Sequence, residues 1–208
     1  IWFVTPKDAR RGSVGKPTFA EQLRQMVAFF GDARFWFVAP VVTAAQSVMF
    51  AYLYLWVGPW MRDVAGMGEA EAGTYMMYAF TGAAAGYFLN GILADLFKKR
   101  GILSWERMYL YSGALLTLVL GFIALENGRN SAILWGIVMF LSTMTMISFP
   151  LMRKLYKSHE VGRALSLLNF TIFLFSPEGY RTSLAVIVIL NLAAVIHLYF
   201  ELKKRRII

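Results

Sequence analysis

Cysteine is absent from the 208 residues, so disulfides, thiolate catalysis and thiolate-bound metals are excluded outright. Only two histidines occur, His159 and His197, too few and too isolated for an imidazole metal site, and no metal or cofactor is expected. Charge is scarce as well. Asp, Glu, Lys and Arg make up 16% of the chain, against roughly 25% in a soluble domain. None of them falls in the middle of a long apolar stretch. No Ser-His-Asp arrangement and no glycine-rich phosphate loop can be picked out, so the chain does not read as an enzyme.

What the chain has instead is apolar length, with 58% hydrophobic residues. A helix needs ~20 predominantly apolar residues to cross a bilayer. Residues 35–60, 73–94, 108–125 and 131–152 supply such runs, and 184–200 is a shorter one ending in the basic cluster 203–206. The polar breaks between them alternate in basic content. Residues 1–34 carry six Lys/Arg, the break at 57–72 carries only Arg62, and the next carries Lys98, Lys99, Arg100 and Arg107. Then come Arg129 alone, the four residues Arg153, Lys154, Lys157 and Arg163, Arg181 alone, and Lys203 to Arg206. The rich breaks hold 18 of the 21 basic residues, whereas the 12 acids divide seven to five. A bias that Lys/Arg show and acids do not is the positive-inside pattern of a multi-pass membrane protein. Both ends lie on the basic, cytoplasmic side, and the number of crossings is even. The net charge of +9 therefore points to anionic headgroups rather than nucleic acid.

Residues 19–30 read as an amphipathic interfacial helix, with Thr18 as N-cap and Glu21 as its capping-box partner. The chain opens on Ile1-Trp2-Phe3-Val4, which reads like the end of a preceding helix, so the expectation is a fragment or an incompletely observed chain. One crossing is short. The alternation requires a span between Arg163 and Arg181, but the apolar run 164–176 has 13 residues, ~20 Å of helix against a ~30 Å hydrocarbon core. Either this helix is a short or broken one, or, as is expected here, residues are missing between Ser176 and Pro177, which would then not be at bonding distance.

Three local sequences carry a resemblance. Gly91-Ile92-Leu93-Ala94-Asp95-Leu96-Phe97-Lys98-Lys99-Arg100 resembles the cytoplasmic loop motif of the major facilitator superfamily. Gly91, Asp95, Lys99 and Arg100 match it, while Leu96 and Lys98 stand where a basic residue and a glycine are usual. Leu55-Trp56-Val57-Gly58-Pro59-Trp60-Met61-Arg62-Asp63-Val64-Ala65-Gly66 and Gly162-Arg163-Ala164-Leu165-Ser166-Leu167-Leu168-Asn169 resemble the helix 7–8 turn and the helix 11 entry of a bacterial branch. The resemblance implies an all-α membrane protein whose six transmembrane helices form the C-terminal half of a twelve-helix fold. Residues 1–34 would be the end of helix six and the cytoplasmic linker. The bundle 35–208 would hold helices seven (35–60), eight (73–96), nine (108–125), ten (131–152), eleven (164–176, incomplete near 176/177) and twelve (184–200).

The implied function is secondary transport of a small molecule by alternating access in a bacterial inner membrane. The partners would be the bilayer, the N-terminal half and an unidentified substrate. The alternative is a transporter-derived subunit that no longer transports and scaffolds a larger membrane complex. Gly91, Asp95, Lys99 and Arg100 would close the cytoplasmic side, the bland reading being that Asp95 ends its helix in water and the basic run only sets topology. Thr43, Gln46, Ser47 and Tyr54 recur on one helical face. A polar face in a membrane helix meets a neighbour or an aqueous cavity, not lipid. Gln46 is the leading substrate candidate, with Ser142, Thr145 and Asn169 behind it; the competing reading is interhelical hydrogen bonding at ~0.6 kcal/mol per contact. Gly82, Gly86 and Asn90, four apart, read as a close-packing stripe. With no charge in any helix centre, a proton-carrying carboxylate would have to lie in the other half.

Overall fold

The computed structural model describes residues 18–50, 57–63, 65–125, 132–174 and 180–208. Among these residues the chain is helical, with no strand. Tyr54 and the Ser176–Pro177 junction lie outside the described residues.

Helix α1 (Phe19–Val27) begins on the expected box: Thr18 Oγ1 accepts the Glu21 N–H at 3.3 Å, and the Glu21 carboxylate accepts the Thr18 N–H at 2.7 Å. None of its residues is buried, and Phe19, Leu23 and Val27 form an exposed apolar stripe. After a 3₁₀ turn (Ala28–Gly31) the chain bends by 86° into α2 (Ala33–Phe50). Pro40 sits inside α2. Lacking an N–H, it leaves the Trp36 carbonyl four residues back without its helical donor. His197 Nε2 fills that position at 3.0 Å, which requires the proton to sit on Nε2, and so ties the C-terminal helix to α2.

Helix α3 (Val57–Asp63) is a short turn leading to α4 (Glu69–Lys99), α5 (Trp105–Leu125) and α6 (Ala132–Met144). A 3₁₀ turn (Thr145–Ile147) then links α6 to α7 (Ser148–Leu155), followed by α8 (Ser158–Leu174) and α9 (Tyr180–Lys204). By length and composition α5 and the Ala132–Leu155 stretch can cross a membrane, and the bent pair Phe19–Gly31 plus Ala33–Ser47 can be a third span. Helix α4 is longer than the expected 73–96: Glu69 and Glu71, which look like loop charges, occupy its first turn, where a helix N-terminus favours acids.

The buried residues of α4 are Ala72, Ala79, Ala83, Gly86, Asn90 and Ala94, a single stripe of mostly small side chains. It lies against α6, and the approach is backbone to backbone. A Cβ on Gly82 would stand 2.0 Å from the Gly136 carbonyl oxygen, and one on Gly86 would stand 2.0 Å from Thr143 Oγ1. Helix α2 runs through the middle of the bundle, touching α6, α7, α8 and α9, while α5 is clasped between α6 and α9.

Two apolar cores result. One gathers Trp60, Met61, Ala79, Leu120, Trp135 and Met139; the other gathers Phe35, Val38, Tyr109, Met152, Leu168 and Leu198. Where α2, α4 and α5 pass from one core to the other, a buried polar side chain intervenes: Thr43, Asn90 and Ser112 respectively.

Candidate functional site

Around this boundary lies a layer of uncharged polar side chains: Thr43, Gln46 and Ser47 from α2, Asn90 from α4, Ser142 and Thr143 from α6, Thr145 from the 3₁₀ turn and Thr171 from α8, all buried. Two amides grip the end of α6. Gln46 Nε2 donates to the Ser142 carbonyl at 2.8 Å and to Thr145 Oγ1 at 3.2 Å. Asn90 Nδ2 donates to the Phe140 carbonyl at 3.0 Å and to Thr143 Oγ1 at 2.7 Å. Both amide oxygens, Gln46 Oε1 and Asn90 Oδ1, are buried without a hydrogen-bond partner among the described residues. Thr43 and Thr171 hydroxyls pair at 3.0 Å, and Ser47 donates to the Ile172 carbonyl at 2.8 Å, joining α2 to α8.

The grip coincides with the break in α6. Pro150 cannot donate to the Met146 carbonyl, and its ring crowds the preceding turn. Ser142, Thr143 and Thr145 turn their hydroxyls back onto the Val138, Phe140 and Ser142 carbonyls, an arrangement that loosens and bends helices. The α-helix gives way to 3₁₀ geometry there, a form common where a helix carries a functional hinge.

Beside the layer, α4 and the α6–α7 bend enclose a groove of about 430 Å³. Asn90, Gly91 and Asp95 line its α4 wall; Thr143, Met144 and Met146 line the facing wall, and Trp105 lies at its end. A Cβ on Gly91 would meet nothing within 4 Å, so this glycine, unlike Gly82 and Gly86, is not demanded by any neighbour among the described residues. The groove is mostly apolar with a few convergent polar groups, the usual make-up of a small-molecule site.

A family model, the Major Facilitator Superfamily, matches residues 1–177. The chain belongs to the major facilitator superfamily. No curated protein and no solved structure matches it. Members of this superfamily are transporters, so the chain is an α-helical, multi-pass membrane protein of the transporter class.

In this major facilitator chain the expected site residues separate into groups. Gln46, Ser142 and Thr145 come together in one hydrogen-bonded cluster, and Thr43 and Ser47 turn to α8. Asn169 is on the exposed face of α8, outside the layer. Of the four loop-motif residues, Gly91 and Asp95 line the groove, whereas Lys99 and Arg100 are exposed where α4 ends. Asn90 was legible only as part of a packing stripe. An amide among glycines and alanines in an apolar helix was the signal, since a buried amide must find partners.

The ends of the bundle are tied by charge. Arg34 clamps Asp32, with Nη2 2.7 Å from Oδ2, donates to the Leu155 carbonyl at 3.3 Å and lies 4.5 Å over the Tyr156 ring. Hydrogen bonding from Arg34 holds the Asp32 carboxyl below the usual carboxylate range, against a smaller opposing effect of burial. Burial, reinforced by the Asp32 charge, pushes the Tyr156 hydroxyl upward. Phe29 meets Tyr156 edge-on at 5.3 Å, and Arg163 donates to Gln25, so the α1 segment is fastened to the ends of α7 and α8.

Proposed function

We propose that this chain is the C-terminal half of a twelve-helix secondary transporter that moves a small molecule by alternating access across a bacterial inner membrane, with both ends cytoplasmic. The observation that carries the reading is the buried polar layer between two apolar cores, with its groove between α4 and the bent α6–α7. A transporter of this architecture binds at the bilayer midplane, between halves that rock about the site. The layer supports a substrate that is uncharged where it meets this half and carries hydrogen-bond donors, because the two oxygens left over are acceptors. Asn90 takes precedence over Gln46 as a contact, since Asn90 lines the groove. Gly91, in open space, and Asp95 suit a surface that the other half closes upon. The 3₁₀ turn at Thr145–Ile147 is the flexing point.

Cysteine labelling tests the membrane placement, because every introduced thiol is unique in a chain that has none. Glu69→Cys and Lys99→Cys place thiols at opposite ends of α4. In sealed right-side-out vesicles an impermeant maleimide should reach the first, and the second only after permeabilisation. Labelling of both from one side would overturn the reading. The half-transporter assignment is tested by the intact mass of the natural gene product. A mass near that of a chain twice this length fits it, and a mass equal to this chain's would favour the scaffold alternative.

A further inference from the structure

On the Lys/Arg-rich side of the bundle a second groove, also about 430 Å³, lies between the ends of α4, α5 and α7. Three cations from three elements line it: Lys98 from the last turn of α4, Arg107 from the first turns of α5 and Lys154 from the last turn of α7. One acid lines it, Glu106, and that carboxylate is buried and already paired with Lys154 at 2.5 Å. Arg107 spends Nε and one terminal nitrogen on the Ile207 carbonyl, at 3.1 and 2.8 Å, which fixes the guanidinium and leaves its other edge without a partner among the described residues. Lys98 is held with its ammonium 3.6 Å over the Trp105 ring. The cations are thus positioned by other contacts before any ligand arrives, and the N-terminal turn of α5, the end of a helix that favours anions, lines the groove through Ser104, Glu106 and Arg107. Ile102, 53% exposed, and Ile207 form an apolar rim.

We infer that this groove is a binding site for a phosphate group, presented by the headgroup of an anionic phospholipid. Phosphate supplies the several acceptor oxygens that a fixed guanidinium and two ammonium groups require. The apolar rim suits an acyl chain more than a free anion, and anionic lipid is enriched in the leaflet that faces Lys/Arg-rich loops. The inference goes beyond the transport reading and rests only on its placement of this end in the cytoplasmic leaflet. Lipid retention in detergent measures it independently of transport.

The experiment is native mass spectrometry of the purified chain after incubation with phosphatidylglycerol or phosphatidylcholine. Wild type should retain phosphatidylglycerol in preference. Lys98→Gln/Arg107→Gln should retain it about tenfold less or weaker still, as expected for losing charge-assisted hydrogen bonds. Lys203→Gln/Arg206→Gln, with the same loss of charge elsewhere, should retain it as wild type does. Lys98→Gln alone leaves the Arg107–Ile207 contact intact and should still weaken retention, so misfolding of the double variant does not shelter the claim. Displacement by millimolar inorganic phosphate would keep the site and assign it to free phosphate. Equal retention of the two lipids, or equal losses in both double variants, would overturn it.

Discussion

Adding one methyl group at Gly82 should separate two helices that adding one at Gly91 leaves alone. In Gly82→Ala the new Cβ stands 2.0 Å from the Gly136 carbonyl oxygen, 2.6 Å from its carbon and 2.7 Å from its Cα. All three are backbone atoms in the middle of α6, so no side chain can rotate away. The seam must open by about 1 Å, and a gap of that size forfeits a quarter to a half of each dispersion contact along it. Overpacking of this kind costs ~1–3 kcal/mol or more, and the ~1 kcal/mol helical advantage of Ala over Gly offsets only part. A net loss of about 2 kcal/mol is expected. Gly91→Ala keeps the helical advantage and meets nothing, so it should stabilise by ~0.5–1 kcal/mol. Thermal unfolding in detergent, followed by tryptophan fluorescence, should separate the variants by roughly 5–12 °C, at roughly 2–4 °C per kcal/mol. If the two variants melt together, or if Gly82→Ala is the more stable, the backbone-to-backbone α4–α6 seam is wrong.

Replacing either amide clamp by Leu should cost ~0.6–1.7 kcal/mol of detergent stability, the range for interhelical hydrogen bonds in membranes, and Asn90→Leu should impair transport more than Gln46→Leu because only Asn90 faces the groove. Asp95→Asn should leave the melting temperature within about 1–2 °C, as expected of a surface position, while altering the balance of inward and outward states seen by labelling; an equal effect on both measures would reduce Asp95 to a helix terminus. Asp32 has a folded-state pKa below its unfolded one, so its pairing with Arg34 contributes fully above about pH 4 and is lost as pH falls through the depressed folded value. Between pH 5 and pH 3 the wild type should therefore lose ~0.5–1 kcal/mol more stability than Asp32→Asn, a surface-pair magnitude, and identical pH profiles would contradict the assignment.

How far the sequence reached depended on the range of the interaction. Thr18 and Glu21 are three residues apart, and their box could be read because both partners belong to one turn. The Gly82–Gly86–Asn90 stripe was equally readable as a close-packing face, since its spacing alone defines the face. Partners across the bundle were not. Thr43 meets Thr171 and Gln46 meets Thr145, separations of 128 and 99 residues that no local pattern encodes. A polar face on α2 therefore left cavity and interhelical bonding open, and the structure gives most of its donors to neighbouring helices. The run 131–152 reads as a single span, although Pro150 is the residue whose missing N–H marks the turn where the structure changes to 3₁₀ geometry. His197 counts in the sequence as an isolated histidine unsuited to a metal site, yet it completes a carbonyl that Pro40 leaves open, a link that needs the α2–α9 packing to be known.

Alternating access requires the groove beside the polar layer to open to each side of the membrane in turn. Asn90→Cys puts a single thiol in that groove, and its rate of reaction with an impermeant maleimide can be read from each face of sealed vesicles of the full transporter. Reaction from both faces, with ligand shifting the ratio between them, is the predicted result. Reaction from one face alone, unchanged by any ligand that stabilises the protein, would contradict the transport mechanism.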